Sequence, residues 1–182
     1  MRIPCVVAFV VAVASGAVMA ATPGDDPLRG IVLENAGGRA RPLDELAGAP
    51  VLLVIADRRA SEQANGWGER LAARTSALVP WRATGKVAWL SIVDGRGVPD
   101  YARDAARERI REREAGDGAR RQRATLLLDW QGVLAERFGA ERGRALLVLL
   151  SPDHVPFARA SGEPTDEGVE RLVDAIAGVS GR

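Results

Sequence analysis

The sequence predicts one α/β domain built on a central mixed β-sheet that is flanked by helices. Apolar runs of strand length alternate with segments of helical periodicity along most of the chain. The chain has 182 residues, of which 47% are hydrophobic and 27% are charged. This composition is typical of one globular domain, and it excludes fibrous, disordered and multi-span membrane proteins.

The N-terminal residues 1–20 are predicted to be an export signal. Arg2 supplies a short positive region, residues 6–14 form an apolar run, and small residues lead to Ala20, where we expect cleavage. The alternative is an uncleaved membrane anchor, but the apolar run is shorter than the ~20 residues that a spanning helix needs. Residues 21–27 are expected to form a flexible leader, and the domain extends over residues 28–178.

Export determines the charge and the redox chemistry of the mature chain. The whole chain has a net charge of +1, and removal of Arg2 with the signal leaves it formally neutral. A neutral chain lacks the basic excess of nucleic-acid-binding proteins, so no nucleic-acid partner is expected. The single cysteine, Cys5, lies within the signal, so the mature chain has no thiol.

The first half of the domain contains a strand, a helix and a second strand. A short strand over residues 30–34 precedes a glycine turn. Residues 51–56 (VLLVIA) are predicted to be a strand buried on both faces at the centre of the sheet. An amphipathic helix over residues 60–78 and a strand over residues 87–93 then form a parallel crossover.

Residues 101–123 are dense in arginine and glutamate. Their thin apolar stripe predicts a solvated helix with ion pairs between residues four apart. The functional alternative is a basic docking face at residues 120–123 (RRQR), but the interleaved acidic residues favour the solvated helix.

Three strands and a helix complete the predicted domain. Strands are expected over residues 125–130 and 145–150, and residues 156–160 return as an antiparallel edge strand, where a proline is tolerated. Thr165 is predicted to cap the final helix. Its apolar face consists of Val169, Leu172, Val173 and Ile176.

Two motifs in this order of elements resemble a known family. The approach to the central strand reads LDELAGAPVLLV over residues 43–54, and residues 127–133 read LLDWQGV, followed by Phe138 and Gly139. Together with their order and spacing, they resemble a thioredoxin-like domain of the redoxin kind over nearly all of residues 28–178. The resemblance implies a thioredoxin-like fold.

Redox-active members of that family carry a Cys-x-x-Cys motif at the turn after the central strand, because a helix N-terminus stabilises a thiolate. The corresponding residues 59–62 are RASE. The cis-proline that family members usually have before the penultimate strand is also absent from the matching residues 143–146, GRAL. Thiol-disulfide exchange requires a sulfur nucleophile, so catalysis of that kind is excluded for the mature chain acting alone.

The loop over residues 57–65, DRRASEQAN, resembles more closely that of cysteine-free exported proteins of the YtfJ kind. Those proteins also end with a strand pair and a helix like residues 146–177. The resemblance implies the periplasm of a Gram-negative bacterium, and it brings no established reaction with it.

Asp57, Arg58, Arg59 and Ser61 are the candidate binding residues of this turn. In the expected fold, free N–H groups at the start of the helix lie beside two guanidinium groups. This arrangement suits an anion such as a phosphate or a partner's carboxylate. The structural alternative is that Asp57 and Ser61 cap the helix while the arginines pair with Glu62 or with water.

Trp81 and His154 are the remaining candidates. Trp81 lies in a loop and is the tryptophan expected at a binding surface, whereas Trp67 and Trp89 are expected to fill the core. The single histidine, His154, is predicted to face solvent in a turn rather than to act as a general base for Ser61. With one histidine and no cysteine, only carboxylates are left as metal ligands, so no metal site and no cofactor are expected.

These observations predict a periplasmic or secreted, non-catalytic binding or accessory module that uses the turn at residues 58–61. The expected partner is an envelope protein or a small anionic ligand, with no stable membrane span after signal cleavage. The competing hypothesis is an enzyme of non-thiol mechanism that acts on an anionic substrate at the same turn. A third is a stable envelope element without a site.

Overall fold

The computed structural model describes residues 26–81, 83–116 and 124–180. The predicted signal peptide and the basic residues 120–123 lie outside the described residues. Among the described helices, none has the length and apolarity that a membrane crossing requires.

The described strands form one mixed sheet. They are β1 (Val32–Asn35), β2 (Ala40–Pro42), β3 (Val51–Ala56), β4 (Leu78–Val79), β5 (Val87–Asp94), β6 (Thr125–Asp129), β7 (Leu146–Leu150) and β8 (Pro156–Ser161). Their order across the sheet is β2-β1-β6-β5-β3-β7-β8, and the short β4 also pairs with β5. β3, β4 and β6 run parallel to β5, whereas β1 and β7 run antiparallel to their neighbours. The predicted mixed sheet is therefore confirmed.

The helices flank this sheet. The α-helices are α1 (Ser61–Arg74), α2 (Arg103–Gly116), α3 (Val133–Arg137) and α4 (Asp166–Ser180). Two short 3-10 helices, Leu43–Leu46 and Asp100–Ala102, precede β3 and α2.

β3 is buried on both faces, as predicted. It pairs in parallel with β5 and antiparallel with β7, and Leu53 lies opposite Leu90 on one side and Val148 on the other. Every residue from Val51 to Ile55 is buried, because successive side chains of a strand point to opposite faces and both faces are covered. The strand thus separates two apolar cores.

Different helices pack against the two faces of the sheet. On one face, α1 and α4 pack Trp67, Leu71, Leu172 and Ile176 against the sheet. On the other face, the 3-10 helix Leu43–Leu46 and α3 pack against it. Trp67 and Trp89 are buried in the first core, so the prediction that they fill the core is confirmed.

The helix predicted over residues 60–78 ends at Arg74, so the prediction is wrong for the residues after it. Its backbone becomes extended at Thr75, whose hydroxyl accepts the N–H of Ala77 (3.1 Å). Leu78 and Val79 then form β4 beside Val87 and Ala88. Pairing with the sheet therefore outweighs the helical periodicity of these residues.

The final helix begins as predicted. The Thr165 hydroxyl accepts the N–H of Gly168 (3.1 Å) and so caps α4. Val169, Leu172 and Ile176 are buried, which confirms the apolar face, and the helix continues to Ser180.

α2 contacts the sheet through polar groups. It has no buried residue, as a solvated helix predicts. The ion pairs seen among the described residues of α2 join residues three apart, as in Asp104 and Arg107, whereas residues four apart were expected. Arg107 also donates to Glu34 of β1 (2.8 Å), and Glu34 accepts the indole N–H of Trp130 (3.3 Å). The guanidinium carbons of Arg103 and Arg107 lie 5.8 and 5.9 Å from the centre of the Trp130 ring.

The contact between α2 and β1 predicts a pH-dependent stability. The hydrogen bond from Arg107 lowers the pKa of Glu34 below its ordinary value. Such a carboxyl contributes stability above its unfolded-state pKa and loses that contribution as the pH falls through its folded-state pKa. We expect Glu34→Gln to lower the free energy of unfolding by about 0.5–1 kcal/mol at neutral pH, and by almost nothing below about pH 3.

Urea denaturation of the wild type and the variant at both pH values measures this difference. Glu112→Gln, at an exposed position of α2, is the control for the change in charge. Equal losses for the two variants at neutral pH would contradict the predicted role of Glu34.

The packing of α4 on Trp67 predicts a second effect on stability. A Cβ at Gly168 would lie 2.8 Å from the Trp67 ring and 3.0 Å from the Thr165 hydroxyl. We expect Gly168→Ala to destabilise the domain by about 1–3 kcal/mol through overpacking. Gly116→Ala is the matched control, because no described residue lies within 4 Å of its Cβ position. Thermal denaturation compares the two, and an unchanged Tm for Gly168→Ala would show that α4 can shift freely.

Candidate functional site

The candidate site is the turn that connects β3 to α1, and Asp57 organises it. One carboxylate oxygen of Asp57 accepts the N–H groups of Arg59 (3.0 Å) and Ala60 (2.9 Å). The other accepts the N–H of Gly143 (3.1 Å), which lies in the segment before β7. One carboxylate therefore shapes the turn and also attaches it to a distant part of the chain.

Gln63 makes a second attachment between the same two segments. Its amide oxygen accepts the N–H of Ala145 (2.9 Å), and its amide nitrogen donates to the carbonyl of Gly143 (3.4 Å). The backbone polar groups of the segment before β7 are thus used within the protein. The described residues contain no cis peptide bond, in this segment or elsewhere.

The capping predicted for this turn is only partly correct. Asp57 bonds to the N–H groups of the turn itself, and Ser61 does not cap α1, since its hydroxyl donates to the carbonyl of Arg58 (2.9 Å). The start of α1 at Ala60 has no side-chain cap. The negative charges at this end of the helix are the Asp57 carboxylate, which bonds to the N–H of Ala60, and Glu62 in the first turn.

Three exposed arginines surround the turn, and we call Arg58, Arg59 and Arg142 the arginine rim. Arg142 belongs to the same segment as Gly143, and its guanidinium lies beside Gly97 in the loop that follows β5. Within the described part of the chain, none of the three guanidinium groups makes a hydrogen bond or an ion pair. The predicted pairing of Arg58 and Arg59 with Glu62 is absent there, so both guanidinium groups are available to a ligand.

A neighbouring arginine, Arg96, is held in place by the fold. It makes a bidentate contact with Asp94 and donates to the carbonyl of Ala140 (3.0 Å). The hydrogen bonds that Arg96 donates to Asp94 raise the pKa of Arg96 above its ordinary value. Residues 94–97 (DGRG) are typical of a turn, and the spacing of Asp94 and Arg96 is the one sequence signal of a local ion pair.

Gly132 provides the space that Arg96 occupies. Its φ of +75° lies in the left-handed region, and a Cβ there would overlap the Arg96 side chain. Arg96 and Asp57 together fix the connector between α3 and β7 from two sides. Arg142 is therefore carried by a connector that is attached at Ala140 and at Gly143.

Trp81 lies apart from the turn. It follows β4, which pairs with the first two residues of β5, whereas the turn follows Ala56, which pairs with Val93 near the end of β5. The ring of Trp81 packs on the core, and the Arg41 guanidinium lies 4.3 Å from its centre. The structure thus brings Asp57, Arg58, Arg59 and Ser61 together but does not place Trp81 with them.

His154 is buried, and the prediction that it faces solvent is wrong. Only 1% of the residue is exposed, and its ring nitrogens contact Asp26 (2.7 Å) and the carbonyl of Leu46 (3.2 Å). The turn after β7 places it at the opposite edge of the sheet from the candidate site, since Leu150 pairs with Val51. His154 is consequently not available as a base for Ser61.

Known proteins of the same architecture identify the fold. The chain matches an exposed lipoprotein thioredoxin (Etrx1) of Streptococcus pneumoniae with a TM-score of 0.55 at 14% identity, covering 79% of this chain and 97% of that one. The fold is thioredoxin-like. A secreted disulfide oxidoreductase of Mycobacterium tuberculosis matches with a TM-score of 0.54 at 14% identity, over 85% and 98% of the two chains.

A third thioredoxin-like structure, an uncharacterized protein from Porphyromonas gingivalis, has a TM-score of 0.56 at 13% identity and covers 86% of this chain and 93% of that one. No protein-family model and no curated protein matches the sequence. The comparisons thus support the thioredoxin-like fold, while the resemblance to proteins of the YtfJ kind stays a prediction. The sequence contains one cysteine, so this thioredoxin-like domain lacks the pair that an internal disulfide requires.

The role of Asp57 predicts a local loss of order. Asp57→Ala removes the carboxylate that accepts three N–H groups, of which only that of Ala60 keeps a second acceptor, the Asp57 carbonyl (3.2 Å). We therefore expect a loss of about 1–3 kcal/mol and faster exchange of the Gly143 amide hydrogen. Hydrogen exchange followed by NMR measures both. Glu62→Ala, an exposed carboxylate in the same turn, should change neither. Unchanged exchange at Gly143 in Asp57→Ala would contradict the attachment.

Proposed function

We propose that the protein is an exported, non-catalytic binding module of the cell envelope that holds an anionic group of a partner protein at Arg58 and Arg59. The observation that carries the proposal is the pair of exposed guanidinium groups, which have no partner among the described residues, on a turn whose own polar groups are satisfied. Guanidinium groups bind carboxylates and phosphates through paired, charge-assisted hydrogen bonds.

The rigidity of the turn supports binding. Asp57 and Gln63 attach the start of α1 to the segment before β7, and Arg96 fixes the preceding connector. A surface that is already ordered loses less conformational entropy on binding than a mobile loop does. Arg58, Arg59 and Arg142 would therefore meet a partner in nearly their final positions.

The openness of the site favours a protein partner over a small ligand. A groove of about 410 Å³ lies between β8 and α4, and its lining residues include Trp67, Ser161 and Arg171 but none from the turn. Arg58 and Arg59 are instead exposed on the surface. Small ligands favour concave sites that bury most of their surface, whereas protein interfaces are commonly flat with arginine anchors.

Export to the periplasm is part of the proposal. It is supported by the signal-like residues 1–20 and by the resemblance to cysteine-free exported proteins of the YtfJ kind. Two of the similar structures are described as an exposed lipoprotein and as a secreted protein.

The competing hypothesis of a non-thiol enzyme has less support from the geometry. A serine nucleophile needs an adjacent base, and the described residues place His154 at the other edge of the sheet. The Ser61 hydroxyl donates to a backbone carbonyl of its own turn, and the Asp57 carboxylate accepts three backbone N–H groups.

The proposal is tested by quantitative crosslinking and co-purification from the native envelope. Arg58→Ala/Arg59→Ala removes up to two charge-assisted contacts, and we expect at least about a tenfold loss of a specific partner. Arg109→Ala/Arg113→Ala is the matched control, since it removes two exposed arginines of α2 that also make no contact among the described residues. Circular dichroism verifies that both variants are folded.

Three outcomes separate the hypotheses. A partner lost only in the Arg58 and Arg59 variant supports the binding site. Equal recovery with both variants overturns the site. Loss of a measurable turnover with partners retained would favour the enzyme.

A further inference from the structure

β8 lies at an open edge of the sheet. It pairs with β7 on one side, and no described strand follows it on the other. The N–H of Gly162 donates to the carbonyl of Ala145 (2.8 Å), and this bond fixes which residues of β8 face β7. Because the bonding alternates along an antiparallel pair, the N–H and C=O groups of Arg159 and Ser161 point away from β7. Within the described residues, these backbone groups have no hydrogen-bond partner.

The features that protect a sheet edge from further pairing lie only in the first part of β8. Pro156 and a shift of register stand at its start, where they disfavour an additional strand. The pairing is regular over residues 158–161. The one charged side chain of β8, that of Arg159, donates to the carbonyl of Phe138 (2.7 Å) and is thereby engaged within the protein. Residues 158–161 therefore form an edge that can accept another strand.

A recess lies on each face of the sheet beside this edge, and Arg159 and Ser161 line both. The larger is the groove of about 410 Å³ between β8 and α4, which Thr165 and Gly168 also line. The smaller, of about 50 Å³, lies on the opposite face beside Gly139. Successive side chains of a strand point to opposite faces, so a strand added to β8 would direct alternate side chains into the two recesses.

The charges of the larger recess favour an acidic side chain. Its charged lining residues are Arg159, Glu163 and Arg171, so positive charge is in excess. The guanidinium of Arg171 is exposed and makes no hydrogen bond or ion pair within the described residues. A carboxylate on the added strand can form paired, charge-assisted hydrogen bonds with it.

A second copy of this chain fits the edge less well than an acidic segment does. β8 reads PFARAS and carries Arg159 as its only charge. A second β8 would therefore bring another arginine and no carboxylate to the edge. Like charges across a strand pair are destabilising, whereas opposite charges are stabilising.

We propose that residues 158–161 of β8 bind an extended segment of a partner protein as an added strand, with an acidic side chain of that segment on Arg171. The outward backbone groups of Arg159 and Ser161 supply the hydrogen bonds, and the groove beside α4 selects the acidic side chain. This surface is separate from the arginine rim, and the inference stands independently of the proposed function.

Two synthetic peptides of extended pattern test the proposal, acetyl-TVEVEVT-amide and acetyl-TVKVKVT-amide. The readout is hydrogen exchange of the full ¹⁵N-labelled protein followed by NMR. Without peptide, we expect fast exchange at Arg159 and Ser161 and slow exchange at Ala160, whose N–H faces β7. With about 1 mM acidic peptide, we expect protection of Arg159 and Ser161 to rise at least about tenfold. The lysine peptide should bind about fivefold more weakly.

Arg171→Glu tests the choice of an acidic segment. Because Arg171 is exposed, the variant should fold, and it should reverse the preference between the two peptides. Arg109→Glu is the matched control, since it makes the same change at an exposed arginine of α2 and should follow the wild type. The acidic peptide with N-methyl groups on its valines and glutamates keeps the side chains but loses the backbone donors, and it should give no protection.

Several outcomes would overturn the proposal. Arg159 and Ser161 amides that neither peptide protects would do so, as would equal protection by the N-methylated peptide. An unchanged preference in Arg171→Glu would overturn the acidic partner. Protection that rises with protein concentration in the absence of peptide would show that a second copy covers the edge instead. The readout lies at β8, so it is distinct from partner recovery at the arginine rim.

Discussion

The burial of β3 on both faces is the constraint on which the rest of this structure depends. Its backbone is paired with β5 and β7, and its side chains divide between two cores. A strand that is hydrogen bonded on both edges and covered on both faces has no freedom of register or orientation. The turn that follows β3 therefore starts from a fixed position. Arg58 and Arg59 belong to this turn.

The connection between this turn and the segment before β7 shows how a thioredoxin-like fold is maintained without a thiol pair. In this chain, Asp57 and Gln63 bond to the backbone of Gly143 and Ala145, so side chains close the contact. The polar groups of the turn itself are used internally, whereas the side chains of Arg58, Arg59 and Glu62 are exposed. The turn carries no thiol for exchange chemistry.

Arginine side chains also attach α2 to the sheet. Because α2 has no buried residue, apolar contacts alone would not keep it packed on the domain. Arg107 instead bridges to Glu34, and Trp130 lies beneath two guanidinium groups. The high arginine content of this helix therefore has a structural role in addition to solubility.

The sequence by itself determined the fold class, the doubly buried strand, the edge strand with Pro156, the cap at Thr165 and the absence of a redox pair. These features follow from hydrophobic periodicity and from capping rules, which act over a few residues. Only the tertiary structure decided the burial of His154, the extension of Leu78 and Val79 as β4, and the partners of Asp57 and Gln63. The contacts of Asp57, Gln63 and His154 join residues 86, 82 and 128 positions apart, and local patterns contain no signal for them because the partners become neighbours only when the sheet assembles.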